Sequence, residues 1–533
     1  MLRKILHKLK TTVAGGAIIL AGFSILSRLV GLLRDRFLAS TFGAGDTLDV
    51  YYAAFRLPDL VFNTLILGAF TVAFIPIFLE AWEKNKERAW KITNSILNIL
   101  LVAMAVISVI FFVLAPQVVS WLIVPGFSPE KQQLTIELTR VMLASILFFT
   151  LSNVAGGVLN AFKRFSAYGL APIMYNLGII AGIAWLVPRY GPLGLAYGVV
   201  GGAALHFLVQ VPAWMKTGFR WRAVLDYRLP EVKKIFLLML PRTFALAIGQ
   251  VNKVVLTVIA STLAVGSVAV YNLADNLQYV PIGVFAIPLA MACFPYLSEA
   301  LSQKNHSAFG VHFSVTLRRI IFLVIPTSFF IFFLRAQIVR VVFGAGAFDW
   351  QDTRLTLDTL GFFAWSMWAQ ALLPLLARAF YAFQDTKTPV YISLWSAALN
   401  IILAFGLSRF LGAPGLALGF SLAAIVNVIW LWLALHRKKV WLDTKKIIDS
   451  GLKIILISAA ATLVLQMVKL EIGQLVNMNT FIGVFTQLVV AGFAGLAVYL
   501  GLACWLKMPE VEILKNMLVK IYPFKNKNIK EEL

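Results

Sequence analysis

Between Ser27 and Phe70 the chain reads SRLVGLLRDRFLASTFGAGDTLDVYYAAFRLPDLVFNTLILGAF, setting Arg28, Arg34, Asp35, Arg36, Asp49, Arg56 and Asp59 among apolar runs. A charge near the bilayer centre costs about 2.5–3.5 kcal/mol on insertion scales, so such residues face a wet cavity or a partner and mark a functional site. Asp49, Tyr52, Arg56, Asp59 and Asn63 recur at steps of 3, 4, 3 and 4. That spacing predicts one face of one helix. Guanidinium groups on such a face suit a cavity that handles an anion, with Asp35 and Asp59 as counter-ions that orient them. Arg34, Asp35 and Arg36, near a helix end, equally fit an interfacial, snorkelling role.

The later half offers Arg242, Lys253, Asp275 and Arg378 as intramembrane charges. Lys163, Arg164 and Lys387 fall in short loops and read as structural.

The elements that must position these groups are helices in a membrane. Of 533 residues 60% are hydrophobic and 13% charged, against about 25% charged in a soluble protein. The two cysteines, Cys293 and Cys504, lie in apolar segments and imply no disulfide framework; the five histidines show no metal-ligand spacing. MLRKILHKLK followed by an apolar run imitates a signal peptide, but the run passes Arg28 without a small-residue cleavage site, so an uncleaved first helix is expected.

At about 20 apolar residues per span, fourteen windows qualify, the first at 13–33 and the last at 479–506. The second, fourth, eighth and tenth are too long to cross upright, and kinks at Pro58, Pro281 and Pro288 or tilt should absorb the excess. An even number puts both termini on one side. That side collects 31 Lys and Arg against 10 on the other, which makes it the cytoplasm. The net charge of +23 is thus topology signal and attraction to anionic lipid, and no nucleic-acid partner is expected.

The chain also repeats itself. GPLGLAYG at 191–198 matches GAPGLALG at 412–419, AFKRF at 161–165 matches AFYAF at 379–383, and Tyr52, Pro76 and Glu80 match Tyr271, Pro295 and Glu299. The offsets stay between 218 and 221. Each copy holds six helices, so the copies run parallel, a transporter arrangement with the substrate site between two lobes. The expected fold is therefore all-α and polytopic, with 14 transmembrane helices. It divides into an N-lobe at 1–220, a C-lobe at 221–440, two further helices at 441–510 and a cytoplasmic tail at 511–533. Arg56 aligns with Asp275, so the anion site is asymmetric and lies mainly in the first lobe. The GxxGLAxG motifs read as close helix contacts rather than ligand loops. With no GxxxxGK[ST] loop and no DDxxD pair, neither ATP binding of that kind nor prenyl-pyrophosphate chemistry is expected.

SRLVGLLRD at 27–35, FGAG at 42–45, FRLPDL at 55–60, AFIPIF at 73–78, FKRFS at 162–166 and AFYAFQDTKTPV at 379–390 resemble the MurJ/MviN family, the bacterial lipid II flippases of the multidrug/oligosaccharidyl-lipid/polysaccharide exporter superfamily. The motifs cover both lobes, and two extra helices after a twelve-helix core match as well. The resemblance implies a multi-pass protein of the bacterial plasma membrane, with both termini cytoplasmic, that flips a lipid-linked peptidoglycan precursor outward by alternating access for cell-wall synthesis. The implied partners are an undecaprenyl-pyrophosphate-linked glycopeptide, the bilayer and other cell-wall synthesis proteins.

A cationic cavity would hold the pyrophosphate and headgroup, and a groove of the last two helices the polyprenyl tail. Family cavity arginines carry over to Arg28 and Arg34, and the helix-2 acid to Asp49. Many members have two arginines and a glutamate where this chain has Phe62, Asn63 and Leu67, and an arginine where it has Asn276. Arg56 or Lys253 is the expected replacement. Some members bind sodium through carboxylates in helices 7 and 11; here Leu256 and Ala404 stand in those places, with Asn400 retained. Sodium coupling is therefore disfavoured, with Lys253 as a built-in cation and no cofactor. The rival readings are a flippase for another polyprenyl-linked glycan, a drug–cation antiporter, and a membrane enzyme acting on lipid.

Overall fold

The computed structural model describes residues 13–67, 70–438 and 442–511. The basic residues before Val13 and nearly all of the tail at 511–533 lie outside them, as does the side chain of Arg242.

The described chain is helical, with no strand. In order come α1 (Val13–Phe42), α2 (Asp46–Ala54, Arg56–Phe62 and Phe70–Lys84) and α3 (Lys86–Ile123). They are followed by α4 (Pro129–Ala161), α5 (Phe165–Tyr190) and α6 (Leu193–Met215), then α7 (Pro230–Ser261) and α8 (Ser267–Ser302). Next are α9 (His306–Val342), α10 (Trp350–Ala382), α11 (Lys387–Leu411) and α12 (Ala413–His436). The last are α13 (Thr444–Leu475) and α14 (Phe481–Trp505).

Helix occupies each of the fourteen apolar windows, but only eleven helices, α3 to α6 and α8 to α14, are long and apolar enough to cross a membrane among the described residues. α1 and α2 carry the charges discussed above, and the apolar part of α7 is limited to Leu246–Ser261.

The excess length of the long windows goes elsewhere than sequence suggests. In α2 a wide π turn at Asn63–Leu67 takes up extra residues one turn beyond Pro58; in α8 a second one follows Pro281 at Ile282–Ala286. Such turns insert a residue into the i→i+4 ladder and recur at functional bends. Their offset, 282 against 63, is 219, so both repeats carry one at the same place. Gly191 and Gly412 both take left-handed φ (57° and 64°), as do Lys163 and Gln384 (55° and 59°), again 221 apart.

The chain folds into two compact units. The first comprises residues up to Leu273 together with Val342–Thr356 and Ala397–Gly419. Its core includes a stack of Phe70, Phe74 and Phe78 with successive centroids 4.8 and 5.3 Å apart, continued by Trp82. The glycine motifs do bring helices together: a Cβ on Gly182 would stand 2.5 Å from Gly198 Cα, and one on Gly419 2.6 Å from Ala404 N. Only small residues permit that approach. Arg164 donates to the Ala213 and Lys216 carbonyls at the end of α6, the structural role its loop position suggested.

The second unit comprises Ala274–Val341, Leu357–Ser396 and the chain from Phe420 onward. Its core packs Phe309, Phe313 and Phe322 of α9 against Leu375 and Phe380 of α10. Between α9, α10, α12 and α13 lies an apolar cavity of about 720 Å³, lined by Ile321, Ile325, Trp365, Trp368, Trp432 and Ile455 among others. No lining residue comes from α14. That helix packs on α13, with Gly495 against Leu465, and Gln487 links Gln337 and the Lys469 carbonyl.

Candidate functional site

The site is built on the paired charges of α1. Arg34 Nε and Nη2 both donate to Asp35 Oδ1, at 2.9 and 2.7 Å, and Nη1 donates to Asn176 Oδ1 of α5 at 2.9 Å. Asn176 also donates to the Pro172 carbonyl, which fixes its amide. The Asp35 side chain is 2% exposed and that of Arg34 20%. These contacts use three of the five guanidinium N–H groups and hold the plane in one orientation, leaving two donors for an anion. Sequence reading left these charges open between an interfacial and an inward role; the burial of both partners favours the inward one.

Around the pair stand Tyr51 and Tyr52 of α2 and Tyr175 of α5, all within electrostatic reach of Arg34. Tyr52 is 8% exposed, and its hydroxyl has no hydrogen-bond partner among the described residues. Arg28 sits half-buried on α1, about two turns before Arg34.

Asp49 is held differently. It accepts hydrogen bonds from Gly266 N at 2.8 Å and Ala269 N at 2.9 Å, capping the first turn of α8, and from Lys131 Nζ at 3.2 Å. Lys131 reaches Asp46 as well, at 2.6 Å. A carboxylate at a helix N-terminus satisfies amides that otherwise lack partners. Asp49 is thus a strut between α2, α4 and α8.

Arg56 is likewise engaged: Nε donates to Thr257 Oγ1 and Nη2 to Asn272 Oδ1, both at 2.7 Å, and the residue is 9% exposed. Asp59, half-buried, lies within electrostatic reach of Lys253 and Arg56. Lys253 itself is exposed on α7. Asn63 stands half-buried at the start of the π turn. Of the five residues at 3–4 spacing, Asp49 reaches the start of α8 and Arg56 reaches α7 and α8.

In the other unit, Asp275 accepts from Gln278 Nε2 at 2.8 Å and neighbours the half-buried Asn276. Leu256 and Ala404 are both buried, at 3% and 0%. Asn400 donates to Asn252 Oδ1 at 3.2 Å. No group of three or more carboxylates, histidines or cysteines able to hold a metal occurs among the described residues.

A family model described as lipid II flippase MurJ matches residues 38–486. The chain belongs to the MurJ family. It is 31% identical over 430 residues to the lipid II flippase MurJ of Burkholderia cenocepacia, covering 79% of this chain and 83% of that one. A probable lipid II flippase MurJ of Vibrio cholerae is 29% identical over 441 residues, 80% and 84% of the two chains. Among solved structures, a lipid II flippase MurJ in an inward closed conformation superposes with a TM-score of 0.77 at 24% identity, over 91% of this chain and 98% of that one. An inward-facing multidrug resistance MATE family transporter of the MOP superfamily follows at 0.66 and 16% identity, over 78% and 95%. The fold is thus shared with that transporter, while the family model and the curated relatives single out MurJ.

Several residues that build the site escaped sequence reading. Asn176 is a lone amide in an apolar helix, a signal in hindsight. Lys131 counted only as a loop cation, and its two carboxylate partners lie 82 and 85 positions back along the chain. Thr257 and Asn272, which hold Arg56, carry no charge to announce them.

Proposed function

We propose that this protein flips lipid II, the lipid-linked peptidoglycan precursor, from the cytoplasmic to the outer leaflet of the bacterial plasma membrane. The carrying observation is the Arg34 guanidinium, oriented by Asp35 and Asn176 inside the helix bundle with two donors unused. A pyrophosphate presents the oxygens that such a fork takes up. Arg28 and Tyr52 complete the anion site beside it. The family match and the names of the relatives agree with that cargo.

Transport proceeds by alternating access, with the headgroup exposed first to one side and then to the other while the tail stays in an apolar environment. The cavity lined by Trp365, Trp368 and Trp432 supplies that environment. No nucleotide or sodium takes part. The drive is the membrane potential, which supplies about 2.3 kcal/mol per charge per 100 mV. Both termini are cytoplasmic, in keeping with the excess of basic residues on that side. Lipid passes through chemically unchanged, so the protein is a transporter and not an enzyme.

The test is depletion of the protein in its native cell, followed by measurement of lipid II accessible at the outer face. Accessibility should collapse, and return with the parent gene but not with Arg34→Ala. Unchanged export after depletion refutes the function; full rescue by Arg34→Ala refutes the site.

A further inference from the structure

The segment at 216–229, which joins α6 to α7, has no helix of its own and is strapped to α3 by two asparagines one turn apart. Asn94 accepts from Arg222 N at 2.8 Å and donates to the Arg220 carbonyl at 3.1 Å. Asn98 donates to the carbonyls of Arg222 and Val224 at 2.8 and 3.0 Å, and accepts from Trp221 Nε1 at 3.0 Å. Both asparagines are buried, at 1% and 7%. An extended segment exposes peptide groups that need partners, and here the helix face supplies them.

With the backbone satisfied inward, several large side chains of the strap stand exposed. Trp221 is 64% exposed, Tyr227 62% and Leu225 57%, interleaved with exposed Arg220, Arg222 and Arg228. The nearby acids turn back toward α3: Asp226 pairs with Lys91 and Glu231 with Arg88, each at 2.7 Å. Neither Arg220 nor Arg222 has an acidic partner among the described residues. The strap follows directly on the end of α6 and lies against the start of α3, two helices long and apolar enough to cross a membrane, and aromatic residues favour the membrane interface beside such helix ends. Topology alone explains the cations; it explains neither the asparagine clamp nor the exposed aromatics between them.

We propose that this strap is a binding site for anionic phospholipid headgroups. Arg220, Arg222 and Arg228 take the phosphate oxygens, and Trp221, Leu225 and Tyr227 enter the glycerol and upper acyl layer of the same lipids. A soluble acidic protein would match the cations but leave the exposed apolar side chains unused. The site is independent of the cargo and of its translocation.

The experiment uses the full chain in detergent, titrated with phosphatidylglycerol, phosphatidylcholine or inorganic phosphate, with bound lipid counted by native mass spectrometry. Each basic residue near an anionic surface contributes about fivefold in binding. Arg220→Gln with Arg222→Gln should therefore weaken phosphatidylglycerol about 25-fold, with an unchanged unfolding midpoint. Lys304→Gln with Lys387→Gln, which removes the same charge elsewhere, should change it less than twofold. Asn98→Ala keeps every cation and should still weaken binding, because the clamp shapes the site. Equal loss from the two charge pairs would reduce the strap to general attraction and overturn the proposal. So would phosphate binding as tightly as phosphatidylglycerol, which marks a free-anion site, or unaltered lipid binding in the strap variant together with loss of an acidic protein partner.

Discussion

Asp49→Ala separates a strut from a binding residue. The side chain of Asp49 is 2% exposed and accepts three hydrogen bonds, from Gly266 N, Ala269 N and Lys131 Nζ. Alanine leaves two helix-start amides without partners and Lys131, 16% exposed, with Asp46 alone. A lost N-cap costs about 1 kcal/mol, and a buried cation stripped of one charged partner adds about 1.5–3 kcal/mol. The total is about 2.5–4 kcal/mol, softened by the remaining Asp46 contact. For chains of 150–250 residues each kcal/mol shifts Tm by about 2–4 °C, and the larger size here puts the expected drop at about 4–10 °C. Asp49→Asn keeps one acceptor oxygen and should fall between parent and alanine variant.

The assay is thermal unfolding of the purified full-length protein followed by tryptophan fluorescence, run beside lipid export in cells. Export should fall in step with the amount of folded protein. An Asp49→Ala protein that keeps the parent Tm yet exports nothing would refute the strut and return Asp49 to the cargo site.

Filling the apolar cavity of the second unit should block the tail without unfolding the protein. A Cβ on Gly451 meets only Ile321 Cδ1, at 3.8 Å, so Gly451→Phe fits and should cut export severalfold with Tm held within a few degrees; normal export would exclude the cavity from tail binding. Replacing sodium by choline should leave export unchanged in the parent and reduce it in Lys253→Met; loss of export in the parent without sodium would overturn the built-in cation. Asp385, between α10 and α11, is pushed up by burial but drawn down further by Lys438 and Thr388, to about 2. Its folded pKa lies below the unfolded one, so the stability it lends is complete above about pH 4 and fades as pH falls toward 2; Asp385→Asn should flatten that part of a Tm-against-pH curve, and an unchanged curve would exclude the pairing.

Much of the fold was legible because membrane helices announce themselves by length and apolarity, and because the repeat lies open in GPLGLAYG and GAPGLALG. The glycine spacing foretold the Gly182–Gly198 approach for the same reason: a small residue at helical spacing has few other uses in lipid. The site was legible as charges and not as partners. Asp49 looked like cargo chemistry because its cost in the membrane is plain, while Gly266 and Ala269, which use it through backbone amides, leave no mark on a sequence and lie 217 and 220 positions away. Arg56 shows the same limit, since neutral Thr257 and Asn272, which accept from it, carry no charge to announce them. The π turns carry no residue signature, and the proline at 58 only points to their neighbourhood.

The matched π turns at 63–67 and 282–286 also mark a feature older than the doubling of the chain. A feature present at one offset in both copies is most simply inherited from the undoubled gene, as are the paired left-handed residues at 191 and 412. The charges are not matched in this way: at the same offset Arg56 meets Asp275 and Asp59 meets Gln278, although Arg34 meets Lys253. The bend therefore predates the doubling, while the charges at these positions have since diverged between the copies.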